Sequence, residues 1–153
     1  MIKMTVNDVV IRHNFITKVQ FKDGDSSLGK DLKIKVMSMR IEYGKVHKEF
    51  DDDVQEFTKG ILEDRFNELS QIEQKNEEEQ KEYNELVNKY NNETNEYIAK
   101  RALEEVEVNE YTFTKEEFEE IMETNASNDV NINGNAIDAP DFLEAIYTLF
   151  VKE

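Results

Sequence analysis

The chain has 153 residues, no cysteine and a formal net charge of −16. Disulfide staples and thiolate metal sites are therefore excluded, and the length points to one domain, 1–153. No apolar run approaches the roughly 20 residues that span a bilayer, and Met1-Ile2-Lys3-Met4 lacks a secretion-signal core, so the expected location is the cytoplasm of the producing cell, away from membranes.

In chain order, residues 1–25 form an N-terminal helix region. Ile2 to Met4 reads as a short strand. Thr5 or Asn7 can cap a first helix, with Asp8 in its first turn. Val9, Val10, Phe15, Ile16 and Val19 supply its buried side. Phe21-Lys22-Asp23-Gly24 ends it.

Residues 26–103 predict a long helical hairpin. The turn Asp23-Gly24-Asp25 leads to Ser26 and Ser27, whose hydroxyls can cap a helix. Leu28, Leu32, Val36, Met39, Tyr43, Val46, Phe50, Val54, Phe57 and Ile61 then recur at steps of three or four, the spacing of one helix face. Lys33, Lys35, Arg40, Glu42, Lys45, Lys48, Asp52 and Glu56 leave the opposite side wet. Gly44 and Gly60 each cost about 1 kcal/mol against Ala in a helix, or mark a close contact or a bend. The stripe continues through Phe66, Leu69 and Ile72. Glu73 to Glu82 has no apolar residue and predicts a reversal. Tyr83, Leu86, Val87, Tyr90, Tyr97 and Leu103 make a second stripe that packs against the first as an antiparallel, coiled-coil-like arm. An arm of roughly 45 residues is about 65 Å long at the helical rise, so it is expected to project.

Residues 104–153 predict a small β element plus a C-terminal helix pair. Val106, Val108, Tyr111 and Phe113 nearly alternate with polar residues, as in a strand able to pair with the N-terminal one. Thr114-Lys115-Glu116-Glu117 is a capping box. Phe118, Ile121 and Met122 should face inward on the helix it starts. A polar loop, Thr124 to Ile137, follows. Asp138 caps the last helix, Pro140 sits in its first turn, and Phe142, Leu143, Ile146, Leu149 and Phe150 form its apolar face. The fold class is thus mainly α: a long hairpin with a head of short helices and a minor β element.

Charge is uneven. Residues 1–50 hold ten Lys/Arg and six Asp/Glu, a net +4; residues 51–153 hold nine and twenty-nine, a net −20. Two solvated surfaces would explain this, and so would head-to-tail attraction between copies in a ring or hetero-complex. Direct duplex binding is not expected, because the acidic half repels phosphates.

Candidate chemistry is sparse. Asp129, Asn131 and Asn133, followed by Gly134, match the front half of a calcium loop. Position 12 is Pro140 rather than a bidentate Glu, with Asp141 one residue late, and such a loop is also ordinary turn chemistry. Asp51-Asp52-Asp53 points three ways on a helix and does not converge. His13 and His47 lie on different helices with no further zinc ligands placed. No nucleophile elbow or phosphate-cradling loop occurs, so no enzyme and no cofactor are expected. Tyr83, Tyr90 and Tyr97 recur every seven residues. With Phe57 and Phe66 they are the seam positions expected to be exposed and to make interface contacts.

Taken together, the segment Phe21-Lys22-Asp23-Gly24-Asp25-Ser26-Ser27 before a Lys-bearing helix, the long acidic helix, the piece Tyr97 to Val108 and the closing helix pair after Tyr111 resemble an uncharacterised family. Its members are short, acidic, helical proteins encoded among the structural genes of tailed bacteriophages, and the likeness covers most of the chain. The resemblance implies a phage origin and a non-enzymatic structural or assembly role in the neck, tail or capsid-associated parts. Its partners would be other phage structural proteins or copies of itself, in the virion and, during assembly, in the host cytoplasm. Two other readings compete: an acidic DNA mimic that blocks a host nucleic-acid-binding protein, and a calcium-responsive binding module.

Overall fold

In a computed structural model, residues 1–152 are described, and they are mainly helical with three short antiparallel strand pairs. Ile2–Thr5 (β1) pairs with Glu105–Val108 (β4), in register from Ile2 opposite Val108 to Thr5 opposite Glu105. Thr5 ends the strand and caps α1 (Val6–Ile16), its hydroxyl accepting the Asp8 N–H at 3.1 Å. Lys22–Asp23 (β2) and Ser26–Ser27 (β3) then pair across the Gly24–Asp25 turn. The two serines are therefore strand residues, not helix caps, and α2 starts only at Lys30 and runs to Gly60. Asp64–Ser70 is α3, Glu77–Ala102 is α4, and Lys115–Thr124 is α5. Val130–Ile132 (β5) and Asn135–Ile137 (β6) form a hairpin before α6, Ala139–Phe150.

The chain gathers into two compact units: residues 1–47 with those from Glu105 on, and Lys48–Glu104. In the first, the inner face of α2 buries Leu32, Val36, Met39 and Tyr43. They share one core with Val9 and Ile16 of α1, Ile121 of α5, and Phe142, Ile146 and Phe150 of α6. Phe113 ties the end of the chain down: its N–H donates to the Phe150 carbonyl at 2.8 Å, and its ring packs edge-on to Phe150 at 5.6 Å. Gly44 answers to a close contact, since a Cβ there would sit 3.1 Å from His13 Nε2.

Two polar features of this core make checkable statements. The Tyr43 hydroxyl is buried with no hydrogen-bond partner among the described residues, and burial pushes its pKa up to about 12. An unpaired buried hydroxyl costs about 1–3 kcal/mol. Tyr43→Phe is therefore expected to gain about 1 kcal/mol in urea unfolding; a loss of that size would show the hydroxyl to be satisfied.

Glu117 completes the capping box at Thr114 and accepts Lys35 Nζ at 2.7 Å. Burial raises its pKa, but Lys35 and the Thr114 N–H together outweigh that and hold it below the ordinary value of 4.5. A carboxyl held low when folded contributes stability above its unfolded pKa and loses it as pH falls through the folded one. Glu117→Gln is thus expected to weaken the protein at neutral pH, with the gap closing below about pH 4, in denaturation curves at both pH values. A gap that widens on acidification would contradict this.

The second unit places the reversal at residues 71–76, between α3 and α4, overlapping the start of the expected Glu73–Glu82 range. The helix also breaks after Gly60, without reversing. Asn76 caps α4 in a reciprocal box with Glu79, so Glu77, Glu78 and Glu79 fill a helical first turn where the dipole favours them. Phe57 stacks on Tyr97 and Arg101 bonds Asp53, so the end of α2 runs antiparallel to α4. α3 continues that direction, with Arg65 forking Glu82 at 2.8 and 3.0 Å. Leu103, assigned to the second stripe by spacing, is 73% exposed just past the helix end.

Candidate interaction surfaces

The five aromatic seam residues are brought together within Lys48–Glu104, but they turn toward one another. The Phe57 and Tyr97 rings stack at 4.2 Å with planes 4° apart. Phe66 stacks on Tyr83 at 5.4 Å and meets Tyr90 edge-on at 5.2 Å. Lys75 Nζ lies over the Tyr83 ring, 4.7 Å from its centre. Tyr90 is 6% exposed; its hydroxyl accepts the Glu63 N–H at 3.0 Å and donates to the Glu63 carboxylate at 3.1 Å. The expectation that these rings are exposed is therefore corrected: Tyr90 is buried and the other four are half-buried, because α4 runs antiparallel to the end of α2 and to α3 and gives each ring a partner within the chain.

Exposed apolar surface lies elsewhere. On α2, Ile34, Met37 and Ile41 are 52%, 49% and 59% exposed. Their spacing of three and four puts them on one face, about half a turn round from Leu32, Val36 and Met39. Lys30 and Lys45, also exposed, continue the same face at each end. The side expected to stay wet is thus apolar in its middle. This second period-3.6 stripe is present in the sequence and is easily masked by the lysines between its members.

A second apolar surface lies between α5 and α6, where an open groove of about 650 Å³ is lined by Phe118, Met122, Leu143 and Tyr147. Phe118 packs edge-on to Tyr147 at 5.2 Å. Glu119, Glu123 and Glu144 also line it. Met122, expected to face the core, is 40% exposed here, because Ile121 beside it takes the inward position.

The residues considered for chemistry are in structural use. Asn133 and Gly134 hold positive φ of 53° and 81°, as a two-residue type I′ hairpin requires. The Asn131 side-chain oxygen accepts the Gly134 N–H at 3.0 Å, and Asp129 accepts the Ala139 N–H at 2.8 Å. Asp141 lies in the first turn of α6, its N–H bonded to the Asp138 cap at 3.0 Å. Asp129, Asn131 and Asn133 are thus placed in and beside the β5–β6 hairpin, and Asp141 in the first turn of α6. Asp52 pairs with Lys48 at 2.6 Å and Asp53 with Arg101 at 3.2 Å, so the acidic triplet does not converge.

His13 and His47 do meet, Nδ1 to Nδ1 at 2.7 Å with rings at 87°. One ring must donate and the other accept. Among the described residues no group of three or more His, Cys, Asp or Glu could hold a metal ion, and no helix is long and apolar enough to cross a membrane.

Asn125 was not foreseen from the sequence. Wholly buried at the end of α5, its amide joins both backbone groups of Gln20. An Asn one residue past a predicted helix end is a weak signal, because its partner lies 105 residues away.

Compared with family models, curated proteins and solved structures, the chain has no match.

Proposed function

We propose that the chain is a non-enzymatic assembly component of a bacteriophage particle, associated with the neck, tail or capsid, that works by protein–protein packing. The observation that carries this reading is the outer face of α2. A helix whose inner face is fully buried and whose outer face still presents Ile34, Met37 and Ile41 at about half exposure is suited to being covered on both sides. The helices of Lys48–Glu104 pack on one another through their own aromatic contacts, in keeping with a coiled-coil-like hairpin. The phage setting comes from the resemblance in element order. The protein would reside in the virion and, during assembly, in the host cytoplasm, with other phage structural proteins or its own copies as partners.

The test is mass spectrometry of gradient-purified particles of the phage that encodes the chain, together with its assembly intermediates. The expected result is the protein at a fixed ratio to the major structural proteins in one of the two. Its absence from both would overturn the reading.

The net charge of −20 over residues 51–153 favours the acidic-mimic reading as the rival. A salt-sensitive complex with a host nucleic-acid-binding protein that duplex DNA displaces would support it. A complex indifferent to DNA would remove it.

A further inference from the structure

Two exposed apolar surfaces of the first unit are opposite in charge. One is the α2 ridge of Ile34, Met37 and Ile41, with Lys30 and Lys45 at its ends and Lys33 along its edge. The other is the open α5–α6 groove, lined by Met122, Leu143 and Tyr147 together with the carboxylates of Glu119, Glu123 and Glu144. We propose that the α2 ridge of one copy seats in the α5–α6 groove of a second copy of this chain, so that the protein polymerises head to tail. The proposal rests on the assembly reading and specifies the surfaces it uses.

Charge decides between the possible self-contacts. Ridge against ridge about a two-fold axis sets lysine beside lysine in either orientation: Lys30 meets Lys45 if the helices run antiparallel, and like ends meet if they run parallel. Groove against groove crowds six carboxylates. Like charges opposed across an interface cost several kcal/mol. Ridge into groove places three ammonium groups against three carboxylates and covers both apolar surfaces at once. Acids near the ridge are fewer than its lysines: Asp31 is exposed, and Glu42, which keeps its charge, is turned to the Asn109 backbone and side-chain amides at 3.0 and 3.2 Å.

A ridge that fits a different patch on the next copy makes a heterologous contact. Such contacts close into a ring if the rotation permits and otherwise extend as a filament. An open chain of any length then ends in one free ridge and one free groove.

The test uses two variants of the full chain and the molar mass by light scattering over a range of concentration at low salt. In the first, Ile34→Glu with Ile41→Glu spoils the ridge. In the second, Glu119→Lys with Glu144→Lys reverses two of the groove's charges. All four positions are exposed, and unchanged melting curves establish that the folds are intact. The unaltered chain is expected to exceed 18.0 kDa as concentration rises, and each variant to need about thirtyfold more protein to do so, the loss of about 2 kcal/mol typical of interface anchors. Mixed, the two variants are expected to form a one-to-one complex of twice 18.0 kDa and nothing larger, because each retains the half the other lacks.

Three results would overturn the proposal. The unaltered chain could stay monomeric throughout, the variants could self-associate like the parent, or the mixture could fail to pair. None of these bears on whether the protein is found in particles, so the assembly reading stands or falls separately.

Discussion

Asn125→Asp is expected to destabilise the protein by roughly 3 kcal/mol or more, although it exchanges one NH2 group for an oxygen. The Asn125 oxygen accepts the Gln20 N–H at 2.7 Å and the Asn128 side-chain amide at 2.9 Å. Its nitrogen donates to the Gln20 carbonyl at 3.1 Å and the Ile121 carbonyl at 2.9 Å. Asn128 in turn donates to the Lys18 carbonyl at 2.8 Å. Two asparagines thus satisfy the Lys18 carbonyl and both backbone groups of Gln20, in a segment that lies in no helix or strand.

An aspartate keeps the acceptor and loses the donor, and it turns a negative oxygen toward two carbonyls in a site with no exposure to water. Asn125→Ala is expected to cost somewhat less, because it leaves Gln20 unpaired without burying a charge. Urea unfolding of the two variants checks the order. An Asp variant as stable as the parent would mean that the site opens to solvent.

Tyr90→Ala has the second large effect, expected at about 3 kcal/mol and confined to residues 48–104. Leu69 and Tyr90 are the residues of that unit buried below a tenth of their surface. Tyr90 also holds the Glu63 N–H, at the point where the chain re-enters helix after Gly60, and supports the Phe66 ring. Removing it takes away the centre of the α3–α4 contact. Hydrogen exchange should therefore accelerate through Asp64–Ala102 while the amides of α5 and α6 keep their protection. Tyr90→Phe, which retains the ring, should lose only the two hydrogen bonds, about 1–2 kcal/mol. Equal acceleration in both units would show that the effect is not local.

The mainly helical class and the caps at Thr5, Thr114 and Asp138 were legible because each rests on neighbours within four residues: a stripe, a hydroxyl, a capping box. The same local logic was present at Asn76 and Glu79 but was hidden by the polar run that followed. The reversal falls at residues 71–76, so reading it at Glu73–Glu82 found the turn but ran it on through the first residues of α4. Ser26 and Ser27 show the opposite error, since a cap signal yielded to a hairpin closed by Gly24. The aromatics Phe57, Phe66, Tyr83, Tyr90 and Tyr97 were placed correctly on one seam, but spacing alone does not say whether a seam meets its own chain or another. The ridge at Ile34, Met37 and Ile41 required asking whether one helix carries two stripes, and the groove at Met122 required knowing how α5 and α6 pack.

The methionines offer the most direct measurement of the surface on which this account depends. Met37 lies on the outer ridge, Met122 in the groove, Met39 in the core, and Met1 is 78% exposed. Peroxide converts accessible methionines to sulfoxides at rates that follow exposure. In dilute protein, Met1, Met37 and Met122 should oxidise readily and Met39 should resist. As the concentration rises, Met37 and Met122 should slow together while Met1 does not. If Met37 keeps pace with Met1 at every concentration, alone and with the partner structural proteins present, the outer face of α2 is not a contact surface and the account fails.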